Sequence, residues 1–407
     1  MPEAVVIVGA GQGGFQLAAS LRDGGHPGPL TLIGEEPGLP YQRPPLSKGY
    51  LLGKTAAQQL ELRPAAFFVE RNIELLAGDR VLAIDGAARI VQLASGATRP
   101  YGHLVLATGA RPRMLKVPGA ELAGVQALRT AVDARALLRR LGTARRLVVI
   151  GAGFIGLEVA VVACELGLQV DVLESAERAL LRCVSAPVAT YLADALARRG
   201  ARFHFSSAAE AFHGEQGHVR AVLTNRGETL AADVVVVGAG VEPDDALARA
   251  AGLQVQGGIV VDAHLLTSDP AISAIGDCAR FPAPYSAQPL RLESVQNAVD
   301  QARCVAARLA GKPAPYEKVP WFWSDQGENR LQIAGVAEAS DEVVLRGAVG
   351  DGKFSVLRLR GGRLTAVESI NNAADHMAAR KLLAAGVTVT CEQAADTSFK
   401  LASLAAA

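Results

Sequence analysis

Two glycine-rich loops, each set directly behind a short aliphatic run, constrain this chain more than any other feature. The first is Gly9-Ala10-Gly11-Gln12-Gly13-Gly14, after Val5-Val6-Ile7-Val8; the second is Gly151-Ala152-Gly153-Phe154-Ile155-Gly156, after Leu147-Val148-Val149-Ile150. A buried strand that ends in a tight glycine turn and feeds a helix opens a dinucleotide-binding βαβ unit. The first glycine makes the turn, the second removes a Cβ where pyrophosphate approaches, and the third lets helix and strand pack closely. Phosphate then rests on unpaired N–H groups of the helix, which is expected to begin near the third glycine, where the dipole favours negative charge. A lone loop of this kind is weak evidence. Here each copy also ends its second strand in an acid, Glu35 after Thr31–Gly34 and Glu174 after Val170–Leu173. Such a carboxylate accepts hydrogen bonds from ribose hydroxyls, although either acid alone reads equally well as an exposed strand end. Two complete units most simply hold two dinucleotides, an arrangement suited to hydride transfer between a flavin and a nicotinamide.

The duplication extends past the loops. After the first βαβ, a strand–turn stretch from Val91 to Gly96 leads to Leu104-Val105-Leu106-Ala107-Thr108-Gly109-Ala110. After the second, Val219 to Gly227 leads to Val234–Val237 and Gly238-Ala239-Gly240. The aliphatic runs read as buried parallel strands and the stretches before them as antiparallel meanders. The expected fold is α/β: two Rossmann-like dinucleotide-binding domains and a small C-terminal α+β domain. The boundaries are 1–112 with 245–319 for the first domain, 113–244 for the second and 320–407 for the last. Leu292–Ala298 starts a helix running to about Ala310, and Gly311–Pro315 is a linker by composition. In the last domain the sequence gives strands at 331–335, 342–347, 353–359 and 364–369, then a helix near 373–384.

With 407 residues, half of them apolar, the chain can bury a large core in two or three domains. A net charge of +1 gives no global case for nucleic-acid or membrane binding. No apolar stretch reaches the roughly 20 residues of a membrane span. No signal peptide is visible, so the cytoplasm is the expected location. The five cysteines, at 164, 183, 278, 304 and 391, have no metal-ligand or redox-pair spacing and read as buried or incidental thiols.

With these motifs in view the chain resembles the flavoprotein ferredoxin reductases of the glutathione-reductase superfamily, the putidaredoxin reductase type, over essentially its full length. The marks are Pro40-Tyr-Gln-Arg43-Pro-Pro-Leu-Ser-Lys48, Ala107–Ala110, Gly151–Glu158, Gly276-Asp277-Cys278, Glu293–Ala298 and Pro320-Trp-Phe-Trp323-Ser-Asp-Gln326. The resemblance implies FAD in the first unit and NADH in the second, with hydride passing from nicotinamide to flavin. Single electrons then go to a 2Fe–2S ferredoxin that feeds a haem-thiolate (cytochrome P-450) monooxygenase or a ring-hydroxylating oxygenase. It also implies a monomer.

By the same resemblance Lys48, fixed behind a Pro-Pro turn, lies beside the flavin, where a cation stabilises negative charge on the reduced ring. Glu158 is expected across from it near the nicotinamide, and the two are expected to pair; taken alone both read as surface charges. FAD contacts are carried over to Gly9, Gly11, Gly13, Gly14, Glu35, Arg43, Val81, Thr108, Gly109, Arg129, Asp277, Val295 and Trp323. NAD contacts are carried over to Gly151, Gly153, Phe154, Ile155, Gly156, Glu158, Glu174 and Gly240. Val81 and Val295 by themselves read as core residues, and Asp277 as a turn. Some relatives carry an aromatic where this chain has Val295. Glu174 would repel a 2′-phosphate, which favours NADH; Arg178, four residues on, reads either as a phosphate ligand or as an ion-pair partner of Glu174. Trp321 and Trp323 should share one face of an extended segment. Arg303 and Trp323 match ferredoxin-docking positions, and Arg303 with Arg291, Arg308, Lys312 and Arg330 could make a basic patch.

Disulfide reductases of this superfamily need a cysteine pair facing the flavin, and its peroxidases and NADH oxidases need one cysteine, near residues 40–52. Leu39–Tyr50 has no thiol, which argues for electron transfer to a protein acceptor. The alternatives are an NADH-dependent quinone or nitrite-linked reductase, or an NADH-responsive flavoprotein resembling apoptosis-inducing factor.

Overall fold

The computed structural model describes residues 3–405. Contacts divide the chain into two units, each made of three segments: Met1–Gln42, Gln58–Arg111 and Glu242–Pro320, and Arg43–Ala57, Pro112–Val241 and Trp321–Ala407. By contacts, therefore, the C-terminal region groups with the second glycine loop. So does the Pro-Pro segment, which sequence order places inside the first unit.

The first unit is built on a five-stranded parallel sheet ordered Ile272–Ala274, His103–Leu106, Val5–Val8, Leu30–Gly34, Glu74–Ala77. Val5–Val8 is buried along its whole length, as a central parallel strand covered on both faces must be. The helices Gln12–Asp23 and Val295–Leu309 pack against each other. Ser294 caps the second of them, accepting from the Asn297 N–H at 3.0 Å. The expected helix to about Ala310 is thus present, starting at Val295. The meander is three antiparallel strands, Val81–Asp85, Ile90–Leu93 and Thr98–Pro100.

The second unit repeats the plan: Ala201–Phe205, Gln169–Glu174, Arg146–Ile150, Val234–Val237 and Val125–Gln126 form a parallel sheet. Its meander is Ala209–Glu215, His218–Thr224 and Thr229–Ala231. In both sheets the strand before the glycine loop is central, flanked by the acid-ending strand and by the strand that follows the meander. The sheets differ at one edge, which Ile272–Ala274 fills from late in the chain in one case and Val125–Gln126 from early in the repeat in the other. The C-terminal region is an antiparallel sheet ordered Trp321–Gln326, Asn329–Gly335, Arg363–Ile370, Phe354–Arg360, Glu342–Arg346, with the helix Ala373–Ala385 packed on it.

The first unit buries a polar cluster within its sheet. The Ser273 hydroxyl lies 2.9 Å from His103 Nε2 and accepts from the Arg308 guanidinium at 2.6 Å. Burial, helped by the Arg308 charge, holds the His103 imidazole down to about 4. Its folded pKa lies below its unfolded value, so the unfolded chain binds more protons between the two. The stability His103 contributes is therefore full above about pH 6.5 and is lost as pH falls toward 4. The loss should reach about 3 kcal/mol at the acid end. We expect His103→Gln to flatten that part of the curve, read as thermal midpoint against pH; parallel curves for variant and wild type would exclude the assignment.

Candidate functional site

The glycine loops show why each position is glycine. Gly9 (φ +109°) and Gly151 (φ +98°) adopt backbone that L side chains rarely enter, and a Cβ there would strike the carbonyls of Ala107 and Gly238 respectively. A Cβ on Gly14 or Gly156 would strike the carbonyl of Gly9 or Gly151. The middle glycines differ: a Cβ on Gly11 or Gly153 would meet nothing within 4 Å. These two positions are spared a side chain although the protein itself leaves room for one, which fits a ligand approaching the backbone. The helices begin at Gln12 and Phe154, directly after the middle glycines, which serve as extended N-caps. The expected start near the third glycine is thus two residues late in each loop, because the turn is complete once the second glycine is passed. The free N–H groups of each first turn lie at the open position.

In the first unit Gly13 packs toward Ala298 and Ile275, each 3.6 Å from where its Cβ would be. That brings the first loop to the start of the Val295–Leu309 helix and to the Gly276–Cys278 turn that carries Asp277. Val295 is the first residue of its helix and half-buried; Val81 is buried core. Thr108 donates to the Asp244 carbonyl at 2.6 Å, and Gly109, at φ +74°, accepts from the Asp244 N–H at 2.9 Å. Glu35 is exposed and faces Arg80 at 3.6 Å and Arg111 at 3.8 Å. Cys278 is fully buried, and burial pushes its thiol up, as expected of an inert cysteine.

In the second unit Glu174 reaches back to its own loop. Its carboxylate accepts from the N–H of Ala152 at 2.7 Å and of Ala176 at 2.8 Å. Arg178 neither pairs with Glu174 nor stands free for a phosphate. Its guanidinium donates to the carbonyls of Ala179, Leu181 and Val184 at 3.0–3.2 Å, so both sequence readings of this residue are replaced by a loop-bracing role. Gly240 (φ +89°) accepts from the Arg113 N–H at 2.9 Å. Ile155 stays partly exposed beside the loop.

The pairing expected of Lys48 and Glu158 is present: Nζ lies 2.9 Å from Oε1, with Lys48 23% and Glu158 3% exposed. Lys48 follows the short 3₁₀ turn Pro44–Ser47, and Glu158 sits one turn inside the helix Phe154–Glu165. Two residues that sequence reasoning missed complete the cluster. The Ser47 hydroxyl donates to Glu158 Oε2 at 2.5 Å, and the Ser324 hydroxyl donates to Oε1 at 2.7 Å. Arg43 donates to the Arg129 carbonyl at 2.7 Å in the same unit. Among residues 40–52 there is no thiol, and among the described residues no cluster could hold a metal ion.

Trp321 and Trp323 do share a face, their rings 5.6 Å apart, while Phe322 on the other face meets Phe154 at 4.6 Å. Trp321 also carries the Arg380 guanidinium at 4.7 Å and packs on His376. Within the first unit two members of the expected basic patch are already committed: Arg308 is turned inward onto Ser273, and Arg291 is held by Glu293 at 2.7 Å. Arg303 is exposed and sits 3.6 Å from Asp300.

Twin parallel sheets, each with a phosphate-type glycine loop, and a buried charge pair beside the second loop define an oxidoreductase that works with two bound cofactors. Residues 3–302 match the pyridine nucleotide-disulphide oxidoreductase family and residues 321–405 the reductase C-terminal family; the chain belongs to the former. It is 50% identical over 397 residues to rhodocoxin reductase of Rhodococcus erythropolis, covering 98% of this chain and 93% of that protein. Among solved structures, the ferredoxin reductase for the CYP199A2 system from Rhodopseudomonas palustris matches with TM-score 0.97 at 50% identity, over 99% of both chains. The covalent putidaredoxin reductase–putidaredoxin complex matches with TM-score 0.96 at 39% identity, over 99% of this chain and 98% of that one. A flavin and a nicotinamide cofactor go with this membership. No helix of the described residues is long and apolar enough to cross a membrane.

Proposed function

We propose that the chain is an FAD-containing NADH:ferredoxin reductase that passes electrons singly to a 2Fe–2S ferredoxin serving a cytochrome P-450 monooxygenase or a ring-hydroxylating dioxygenase. The observation that carries this reading is the Lys48–Glu158 pair held at the second glycine loop with no thiol beside it. The family name includes disulphide chemistry, but this chain has no cysteine near Lys48 to perform it. Relatives named rhodocoxin reductase and ferredoxin reductase support the protein acceptor.

In this reading residues 1–112 and 245–319 serve FAD, 113–244 serve NADH and 320–407 form the C-terminal domain. The first loop, Thr108, Gly109, Asp277 and Val295 hold FAD in the first unit; Arg43, Lys48, Arg129 and Trp323 are assigned to it by family likeness. The second loop, Glu174 and Gly240 hold NADH. Bound together, the cofactors supply hydride transfer between nicotinamide and flavin. Lys48 contributes a fixed positive charge, which costs no reorganisation when negative charge develops nearby. Glu158 restrains that cation. Glu174, braced on the Ala152 N–H, places a negative charge where an NADPH enzyme would want a positive one. With Arg178 committed to carbonyls, that cation does not offset Glu174 in favour of NADPH.

The test is cytochrome c reduction by the purified yellow protein, driven by NADH or NADPH, with and without a 2Fe–2S ferredoxin. Strong stimulation by ferredoxin, with NADH far ahead of NADPH, is expected. Flavin reduction by NADH without stimulation by any of several ferredoxins would move the reading to a quinone reductase or a signalling flavoprotein.

A further inference from the structure

The Glu158 carboxylate is held by three donors from two distant parts of the chain. Ser47 on the 3₁₀ turn serves one oxygen; Ser324 on the C-terminal strand and Lys48 serve the other. Both serines are buried, at 2% and 0% exposure. The alternative acceptor of Ser47, the Pro44 carbonyl, is at 3.5 Å, too long to compete. A glutamate gripped only by a flexible, partly exposed lysine would be free to follow it. Held on both oxygens by short side chains of fixed backbone, it instead fixes the lysine.

The strand Trp321–Gln326 is registered for this task. Phe154 and Glu158 are four residues apart on one helix face, and Phe322 and Ser324 are two apart on one strand face. Four helical residues rise about 6 Å and two strand residues about 6.6 Å, so the Phe154–Phe322 ring contact and the Glu158–Ser324 hydrogen bond form two matched rungs.

We infer that Ser324 and Ser47 are positioning residues for the Lys48–Glu158 pair, so that the C-terminal strand sets the geometry of the charge at the hydride site; this rests on the role given to Lys48 above. Removing a donor from the buried carboxylate loosens its hold on Lys48, and the consequence is a slower hydride step. The experiment compares Ser324→Ala, Ser324→Thr, Ser47→Ala and Lys48→Ala holoenzymes by anaerobic NADH reduction, flavin midpoint potential and thermal unfolding. In Ser324→Ala we expect reduction to slow about tenfold, with Ser324→Thr recovering most of the rate. The midpoint potential should move in the same direction as in Lys48→Ala, and the unfolding midpoint little. If Ser324→Ala does not fold, Ser47→Ala decides on the same readouts. Wild-type rates and potential in the serine variants, alongside slow reduction in Lys48→Ala, would overturn the inference alone. Wild-type behaviour in Lys48→Ala would overturn the reading beneath it.

Discussion

Replacing Lys48 by alanine should leave the flavin bound and slow its reduction by NADH on the order of a hundredfold, the loss typical when one preorganised stabilising group is removed from a reacting centre. The flavin should stay because the first loop lies in the other unit and has its own glycine turn and strand. The rate should fall because, among the described residues, no other cation is hydrogen-bonded or ion-paired with Glu158. The measurement is anaerobic stopped-flow, following flavin absorbance over a series of NADH concentrations. The change should appear in the limiting rate rather than in the NADH concentration that half-saturates it, since the group acts on the reaction and not on ground-state binding. An unchanged limiting rate would remove Lys48 from the hydride step.

A second large effect separates two kinds of glycine within one loop. Gly153→Ala should leave thermal stability near that of the wild type, because its Cβ enters space the protein does not fill. It should weaken NADH binding at least tenfold, because that is the space a pyrophosphate needs. Gly151→Ala should do the reverse of the first effect. Its Cβ would lie 2.5 Å from the Gly238 carbonyl on backbone at φ +98°, so the protein should lose several degrees of thermal midpoint with or without nucleotide. Calorimetric unfolding and NADH titration of both variants check the pair of expectations. Equal destabilisation by the two would mean that the open position is filled by the chain itself.

Much of this was legible in sequence because parallel strands buried on both faces write themselves as unbroken aliphatic runs, and because a glycine forced by a backbone collision has no substitute. Val5–Val8, Leu147–Ile150 and Val234–Val237 are such runs, and all three are buried strands. The C-terminal strands emerged within a few residues of their expected limits. What could not be read were contacts set by long-range register. Ser47 and Ser324 look like any serine beside a turn or in a strand, and only the fold brings them to Glu158, 111 and 166 residues away. A signal existed in retrospect: if Trp321 and Trp323 face one way, Phe322 and Ser324 must face the other. The inward turn of Arg308 was hidden for a different reason, since counting arginines says nothing about which are already committed to a partner, as Arg308 is to Ser273.

The interleaving of the two units bears on how such a chain can be made. Each is assembled from three separated stretches, and the first needs residues as late as Pro320. A growing chain therefore cannot close its first glycine-loop sheet until the edge strand Ile272–Ala274 has left the ribosome, and cannot complete the hold on Glu158 before Ser324 has followed. During that interval His103–Leu106 presents an open edge without its late partner. Synthesis should consequently be the period of greatest aggregation risk, and truncation before Ser324 should leave a chain with a nucleotide loop but without the complete set of donors that holds its charge pair.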